Sequence, residues 1–434
     1  MRRLTFVLAA CVLTAAPKSA HGQQRSVTLA EAIQLAEKAA PNVVQALGTV
    51  RATGAGVRAA WGEYLPRLST NASYGSSFSD GPSRTDPITG EVIPGGSSSS
   101  SLTVGASGSI DIFTGFRRGA SMSSAKANRT DAEAALAFER AQSALTTTNQ
   151  FLQALQGADL VRVRQDAIRR AQEKLAIANA RLSTRGVTIA DSLQAVVDLT
   201  GTRLQLLNDE RALTEAEANL ARYLGLDGRV AAVTDSSLFR TVTIADANEL
   251  MAEAMERSPQ VIRAVAAVRL ARANLGLTRS AYFPAITLSG STSYGGSDRN
   301  SYNLFNNRSV NLGVQWQLFN GFARERDMTT RRASLEAAEA READARRQIG
   351  ASLTTYLAAL RTAQERTTLT QQNLESARAS AQVQTERYRL GSIGIVELNA
   401  AQDALSRAET DAVSARYDYL RAKTQIEATL GRTL

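Results

Sequence analysis

The chain has 434 residues, a formal net charge of +9, one cysteine (Cys11) and one histidine (His21). Both single residues fall within an N-terminal leader, and its removal excludes disulfides, thiol or imidazole catalysis, a Ser-His-Asp triad and Cys/His metal or haem sites. The arginines alternate with acids, as in Arg324-Glu325-Arg326-Asp327, and aromatics make up only 5% of the chain, which argues against nucleic acid as a partner.

The leader comes first. Arg2 and Arg3 precede an apolar run, Leu4 to Ala16, that is too short to span a membrane. Ala20-His21-Gly22 has the small-x-small form of an export cleavage site, so residues 1–22 read as a signal peptide. Leu8-Ala9-Ala10-Cys11 has the look of a lipoprotein box, but the apolar run before Cys11 is short, and an ordinary export signal is preferred.

Thr28-Leu29-Ala30-Glu31 has capping-box spacing ahead of a short helix to Ala40. Pro41 opens a second helix, which ends near Tyr64-Leu65-Pro66. Halfway along, the order returns: Thr243-Ile244-Ala245-Asp246 repeats the cap, Ser258-Pro259 the helix start and Tyr282-Phe283-Pro284 its end. Pro41 to Pro259 and Pro66 to Pro284 are both offsets of 218, which indicates a tandem duplication, residues 23–228 and 229–434.

Each repeat then alternates with period two, giving expected strands at about 66–77, 100–113, 284–295 and 309–319. In the last, Val310, Leu312, Val314, Trp316 and Leu318 alternate with Asn311, Gly313, Gln315 and Gln317. Strands of about 10 residues with an apolar face and a Ser/Thr/Asn/Gln/Gly face suit a membrane barrel with a wet lumen. A soluble sheet with one face covered by helices has the same periodicity. Four strands cannot close a membrane barrel, and an open sheet in lipid leaves unpaired edges, so membrane-spanning strands require several copies to share one barrel.

Long helices follow. No proline occurs in residues 95–258 or 285–434. Helices are expected at about 116–182, 189–225, 324–390 and 395–431, with turns at Arg185-Gly186 and Gly391-Ser392-Ile393-Gly394. A 4-3 alternation runs through Ile349, Leu353, Tyr356, Leu360, Ala363, Thr367, Thr370, Leu374, Ala377, Ala381, Gln384 and Tyr388, and again through Leu398, Ala401, Leu405, Ala408, Ala412, Ala415, Tyr419, Ala422, Ile426 and Thr429. At 1.5 Å per residue the longer helix would be about 100 Å, suited to a tube or stalk. The seam is mostly small residues, which fits close packing in a wall of helices. Gly54-Ala55-Gly56-Val57-Arg58-Ala59 matches a dinucleotide fingerprint, but it lies inside a helix pattern with no preceding strand and is dismissed.

These features together resemble the TolC-like outer-membrane efflux proteins over nearly the whole chain after the leader. The resemblance is carried by Trp316-Gln317-Leu318-Phe319-Asn320-Gly321-Phe322, echoed by Phe113-Thr114-Gly115-Phe116; by Tyr388-Arg389-Leu390-Gly391 with Val396-Glu397-Leu398; and by Ala415-Arg416-Tyr417-Asp418-Tyr419-Leu420, ending in Ala428-Thr429-Leu430-Gly431. It implies a mainly α fold with a small membrane β part: two tandem repeats of helix, two strands and two long helices, forming in a homotrimer an α-helical tube plus a shared transmembrane β-barrel. The tube would lie in the periplasm and the barrel in outer-membrane lipid. Partners would be a periplasmic adaptor (membrane fusion) protein and an inner-membrane pump, with no cofactor, metal or catalytic residue.

The implied function is a passive gated conduit exporting small toxic compounds. The alternatives are the outer-membrane duct of a type I protein-secretion system and, in a different class, a periplasmic coiled-coil scaffold. The resemblance places the pore constriction at Asp191 and Glu397, as carboxylate rings favouring cations. Glu397 lies six residues after Gly391, as in the family pattern, and Asp191 five after Gly186. Each is also an ordinary acid in the first turn of a helix. The adaptor-contact turns would be Arg185, Gly186, Tyr388, Arg389 and Gly391, whose glycines also serve simple turn chemistry by permitting positive φ.

Overall fold

The computed structural model describes residues 25–93, 95, 97–234, 236–239 and 246–432. The expected export signal, with Cys11 and His21, and the expected cap residue Thr243 lie outside the described residues. In the first half the elements are β1 (Arg25–Val27), α1 (Leu29–Ala39), α2 (Pro41–Gly62), β2 (Arg67–Ser79), β3 (Arg84–Thr85), β4 (Val92–Ile93), β5 (Ser97–Phe113), α3 (Arg117–Ser183), α4 (Ile189–Leu224) and β6 (Val230–Ala232). The second half contributes α5 (Ala247–Arg257), α6 (Pro259–Arg279), β7 (Ala285–Ser297), β8 (Phe305–Gln315), α7 (Ala323–Arg389) and α8 (Ile395–Leu430). Both halves thus run helix, two strands, two long helices, with α3 and α7 each 67 residues long.

The duplication has two offsets. Pro41 to Pro259 and Arg67 to Ala285, the starts of α2 and α6 and of β2 and β7, are separated by 218. Arg117 to Ala323, Ile189 to Ile395 and Leu224 to Leu430 are separated by 206. The difference of 12 arises between the strands of each pair, where the first repeat carries the additional β3–β4 hairpin. Loop length is cheap to vary, whereas a change inside a seam would rotate every later side chain.

Two compact units are formed, each drawing on both repeats. One contains the segment ending at Ala40, Ser143–Val242 and Ala359–Thr424. Its core joins Val27, Ala32 and Ala36 to Phe151, Leu152, Leu220, Leu224 and Tyr417. The parallel pair β1–β6 closes one side of this core through Val27 and Val230. Thr28 caps α1 as expected, accepting from Glu31 N. The α7–α8 seam is buried at Leu374, Ala381, Leu405 and Ala408, all on the stripes expected from the 4-3 alternation.

The other unit contains Pro41–Gln142, Thr243–Ala358 and the segment from Gln425. Here α5 starts at Ala247, with Asp246 as its cap, accepting from Asn248 N at 3.1 Å. The aspartate at this cap position satisfies the free N–H of the first turn directly. Four antiparallel strands pair in the order β2-β5-β7-β8, leaving β2 and β8 as edges. The register sorts most side chains by polarity. One face carries Leu68, Tyr74, Val104, Ile110, Leu288, Val310, Leu312 and Val314; the other carries Ser69, Ser107, Ser289, Ser291, Ser309 and Asn311. Ser69 with Ser107, and Ser291 with Ser309, are hydroxyl pairs at 2.8 Å.

The apolar face is bare. Leu68 is 83% exposed and Val310 79%, so among the described residues no helix covers this face as one would in a soluble sheet. Strand β8 ends at Gln315, not near 319 as expected. The carbonyls of Gln317 and Leu318 are taken by Arg324 Nη1 and Nη2 (2.9 and 2.8 Å), and Trp316 Nε1 donates to Tyr282 O, so the chain leaves the ladder at Trp316. Among the described residues, no helix is long and apolar enough to cross a membrane.

Candidate functional site: the paired helix turns

The turns after α3 and α7 have the same hydrogen-bond pattern. Arg185 N donates to Leu182 O (3.0 Å) and Gly186 N to Arg181 O (2.8 Å). Gly391 N donates to Tyr388 O (3.1 Å) and Ser392 N to Arg387 O (2.8 Å). Both close their helices with a left-handed residue in the position that usually takes glycine. In the second turn that residue is Gly391, φ +82°; in the first it is Arg185, φ +59°, while Gly186 is not left-handed. The expectation that Gly186 supplies the positive φ is therefore corrected. Arg185 takes the strained position and Gly186 follows it.

Arg185, not Gly186, is the counterpart of Gly391, so Asp191 and Glu397 both lie six residues beyond the left-handed residue. They also share the third position of their helices, because α4 starts at Ile189 and α8 at Ile395. Asp191 forms a capping box: its Oδ2 accepts from Thr188 N (2.9 Å) and Thr188 Oγ1 (3.0 Å). At the equivalent cap position stands Gly394, with no side chain. Glu397 Oε2 leans over it, 3.0 Å from where a Cβ would sit. Asp191 is half-buried and committed to its cap; Glu397 is exposed.

The two turns are joined by Arg181, which the sequence reading did not single out. Its Nη1 donates to Tyr388 O (2.7 Å), its Nη2 donates to Gly186 O (3.0 Å), and its guanidinium lies 4.8 Å from the Tyr388 ring centroid. One side chain thus ties the carbonyl end of α7 to the turn that follows α3, reaching a carbonyl 207 residues away in sequence. Tyr388 is fully buried with Ala178, Ala195, Ile395 and Leu398, so it supports the turn from within rather than facing solvent. Its hydroxyl has no hydrogen-bond partner among the described residues. Burial pushes this phenol above its ordinary range; the Arg181 charge opposes the shift and the Asp191 carboxylate adds to it. The outer surface of the turns is formed by Arg185, Gly186, Arg389, Leu390 and Gly391, with Arg389 paired to Glu386 at 3.0 Å.

Behind the turns, polar staples tie α3 to α4 and α8. Ser192 Oγ donates to Asn179 Oδ1 (2.7 Å). Lys174, almost wholly buried, donates to Asp198 Oδ2 and Asn399 Oδ1, both at 2.7 Å. Arg170 makes a two-point contact with Glu409 (3.2 and 2.7 Å). A seam of small residues leaves room for such long side chains, and the pairs lock the axial register that Ala and Thr alone specify weakly. The arrangement positions two turns and their acids.

The match to known proteins is broad. The model of the family described as "outer membrane efflux protein" matches residues 32–226 and 250–432. Protein CyaE of Bordetella pertussis is 28% identical over 253 residues, 57% of this chain and 51% of that protein, so the chain spans about half the length of this curated relative. Among solved structures, CusC, described in terms of folding and transmembrane channel formation, is similar with a TM-score of 0.78 at 17% identity, over 93% of this chain and 92% of CusC. The CmeC outer membrane channel of Campylobacter jejuni gives 0.77 at 14% identity, over 93% and 85% of the two chains. These structures share the fold, and the family model spans both repeats from α1 to the end of α8: the chain belongs to the outer membrane efflux protein family.

Proposed function

We propose that the protein is the outer-membrane channel component of a tripartite efflux system, a passive gated conduit carrying small toxic compounds from the periplasm to the exterior. The observation that carries this reading is the sheet: four strands with open edges, one bare apolar face and one Ser/Asn/Gly face. Lipid satisfies the first face and a water-filled lumen the second, and only further copies can satisfy the edges. A homotrimer supplies twelve strands, enough for a closed barrel. A periplasmic scaffold would leave Leu68, Val310 and Leu312 in water.

In this reading a periplasmic adaptor meets the turn surface at Arg185, Gly186, Arg389 and Gly391, and an inner-membrane pump supplies the energy. Asp191 and Glu397 form two carboxylate rings in the trimer, at equivalent helical positions, and set cation preference. Tyr388 acts behind the adaptor surface. The test is membrane fractionation with the mass of the detergent-extracted complex, followed by planar-bilayer recordings. A trimer in the outer membrane whose cation preference falls in Asp191→Ala and Glu397→Ala supports the reading. A protein soluble in the periplasm sinks the channel; wild-type conductance and ion preference in both single variants and in the double variant sink the rings alone.

A further inference from the structure

On the apolar face of the sheet one charged side chain stands alone. Arg308 of β8 is directly opposite Thr292 of β7, and the next pair toward the loops is Asn306 with Tyr294. The other residues on this face of the four strands are aliphatic, aromatic, glycine, serine or threonine. All four members of the patch are exposed. Arg308 Nε donates to Asn306 Oδ1 at 3.2 Å, which turns the guanidinium toward the loop end of the strand. Among the described residues its Nη atoms have no partner.

The position along the strand matters. Helices join this sheet at one end, through Arg67, Phe113, Ala285 and Gln315, and the strand-connecting loops lie at the other. At the helix end an aromatic group collects: Phe113, Phe116 and Phe283 stack edge to face, as do Phe319 and Phe322, and Trp316 is bonded to Tyr282 O. Phe116 and Phe322 hold left-handed backbones while remaining exposed, a strain repeated in both halves at the same junction. Such a group marks one membrane interface. Arg308 is eight residues from Trp316, about 26 Å along the strand at 3.3 Å per residue and about 20 Å in depth at a typical tilt. The lipid-facing band of a barrel is about 25 Å tall. Arg308 therefore reaches the outer boundary by extending toward the loops, the direction its bond to Asn306 sets.

We propose that Arg308, Asn306, Thr292 and Tyr294 form a binding site for the phosphorylated headgroup of an outer-leaflet glycolipid. The guanidinium supplies a two-point phosphate contact; the amide and two hydroxyls supply neutral donors beside it. Burying an arginine at the rim of a lipid face is unfavourable without a counter-charge, and an anionic lipid brings one. The site rests on the membrane reading of the sheet.

The test is native mass spectrometry of the full-length, detergent-extracted complex incubated with phosphorylated lipid A, dephosphorylated lipid A or inorganic phosphate. Wild type should retain the phosphorylated lipid about tenfold better than the dephosphorylated one, the loss expected when a charged two-point contact is removed. Arg308→Gln should lose the same factor and Arg308→Lys a smaller one, while millimolar phosphate should leave lipid retention unchanged. Equal retention by wild type and Arg308→Gln overturns the site, as does equal retention of the two lipids. Displacement of lipid by inorganic phosphate overturns the lipid as its source. A parallel fractionation separates the two levels: a wild type absent from the outer membrane overturns the channel and the site together, whereas normal insertion with unchanged lipid retention overturns the site alone.

Discussion

Replacing Arg181 with alanine removes three contacts at once. Two are hydrogen bonds from a charged donor, to Tyr388 O and Gly186 O, and the third is the stacking over the Tyr388 ring. Hydrogen bonds to charged groups contribute about 1.5–3 kcal/mol each, and a cation–π contact about 0.5–2. The loss is partly offset, because Tyr388 O keeps its bond from Gly391 N and water can reach the exposed Gly186. A net local loss of about 2 kcal/mol remains, equivalent to about a 30-fold rise in the open population of the turns. Native-state hydrogen exchange reads this directly. The Gly186, Gly391 and Ser392 amides should exchange about 30-fold faster in Arg181→Ala, while amides near Leu152 and Leu220 are unchanged. Arg181→Lys should recover part of the protection, since an ammonium cannot span both carbonyls in the guanidinium's planar geometry. Acceleration confined to Gly186 would mean that Arg181 holds only its own turn. Unchanged exchange at all three amides would refute the clamp.

Gly225→Ala should cost more than about 2 kcal/mol in thermal or denaturant melts, since it combines φ +67° with a Cβ 2.6 Å from that of Ala39; Gly321→Ala, at φ +64° in open space, should cost about 1, and equal losses would refute the steric argument. Lys174→Met leaves Asp198 without its cation and should destabilise by about 3 kcal/mol, with Asp198→Leu restoring much of it in the double variant; an unchanged melting temperature in the single variant would refute a structural ion pair. Asp131 is half-buried, and burial pushes its carboxyl above the ordinary range against the pull of Arg263. The folded state therefore disfavours its charge. That penalty is absent below the ordinary carboxylate pKa, grows as pH rises toward the raised value, and is complete above it. Asp131→Asn should then melt higher than wild type at neutral pH and equally at about pH 3; no gain at neutral pH would refute the desolvation cost.

Much of the architecture is local in origin. Period-two alternation over Val310, Leu312 and Val314 needs no partner to be read, nor do the 4-3 stripes through Leu353, Leu360 and Leu374 or the glycine at 391. The paired prolines expose the duplication because a proline is tolerated at so few helix positions. The acids were legible as acids in a first turn, but their equivalence was not. Asp191 seemed one residue out of register because Gly186 is the glycine in the turn, and only the backbone shows Arg185 carrying the positive φ.

By itself, then, the sequence determined element type, order, repeat and the two faces of the strands, since each follows from propensities and periodicities within a few turns of chain. Tertiary structure alone decided that Arg181 reaches a carbonyl 207 residues away, that Tyr388 is buried rather than displayed, that β8 stops short of the carbonyls Arg324 captures, and that no described residue covers the apolar face. Those outcomes depend on which segments meet in space, and nothing local to any one segment encodes its partner.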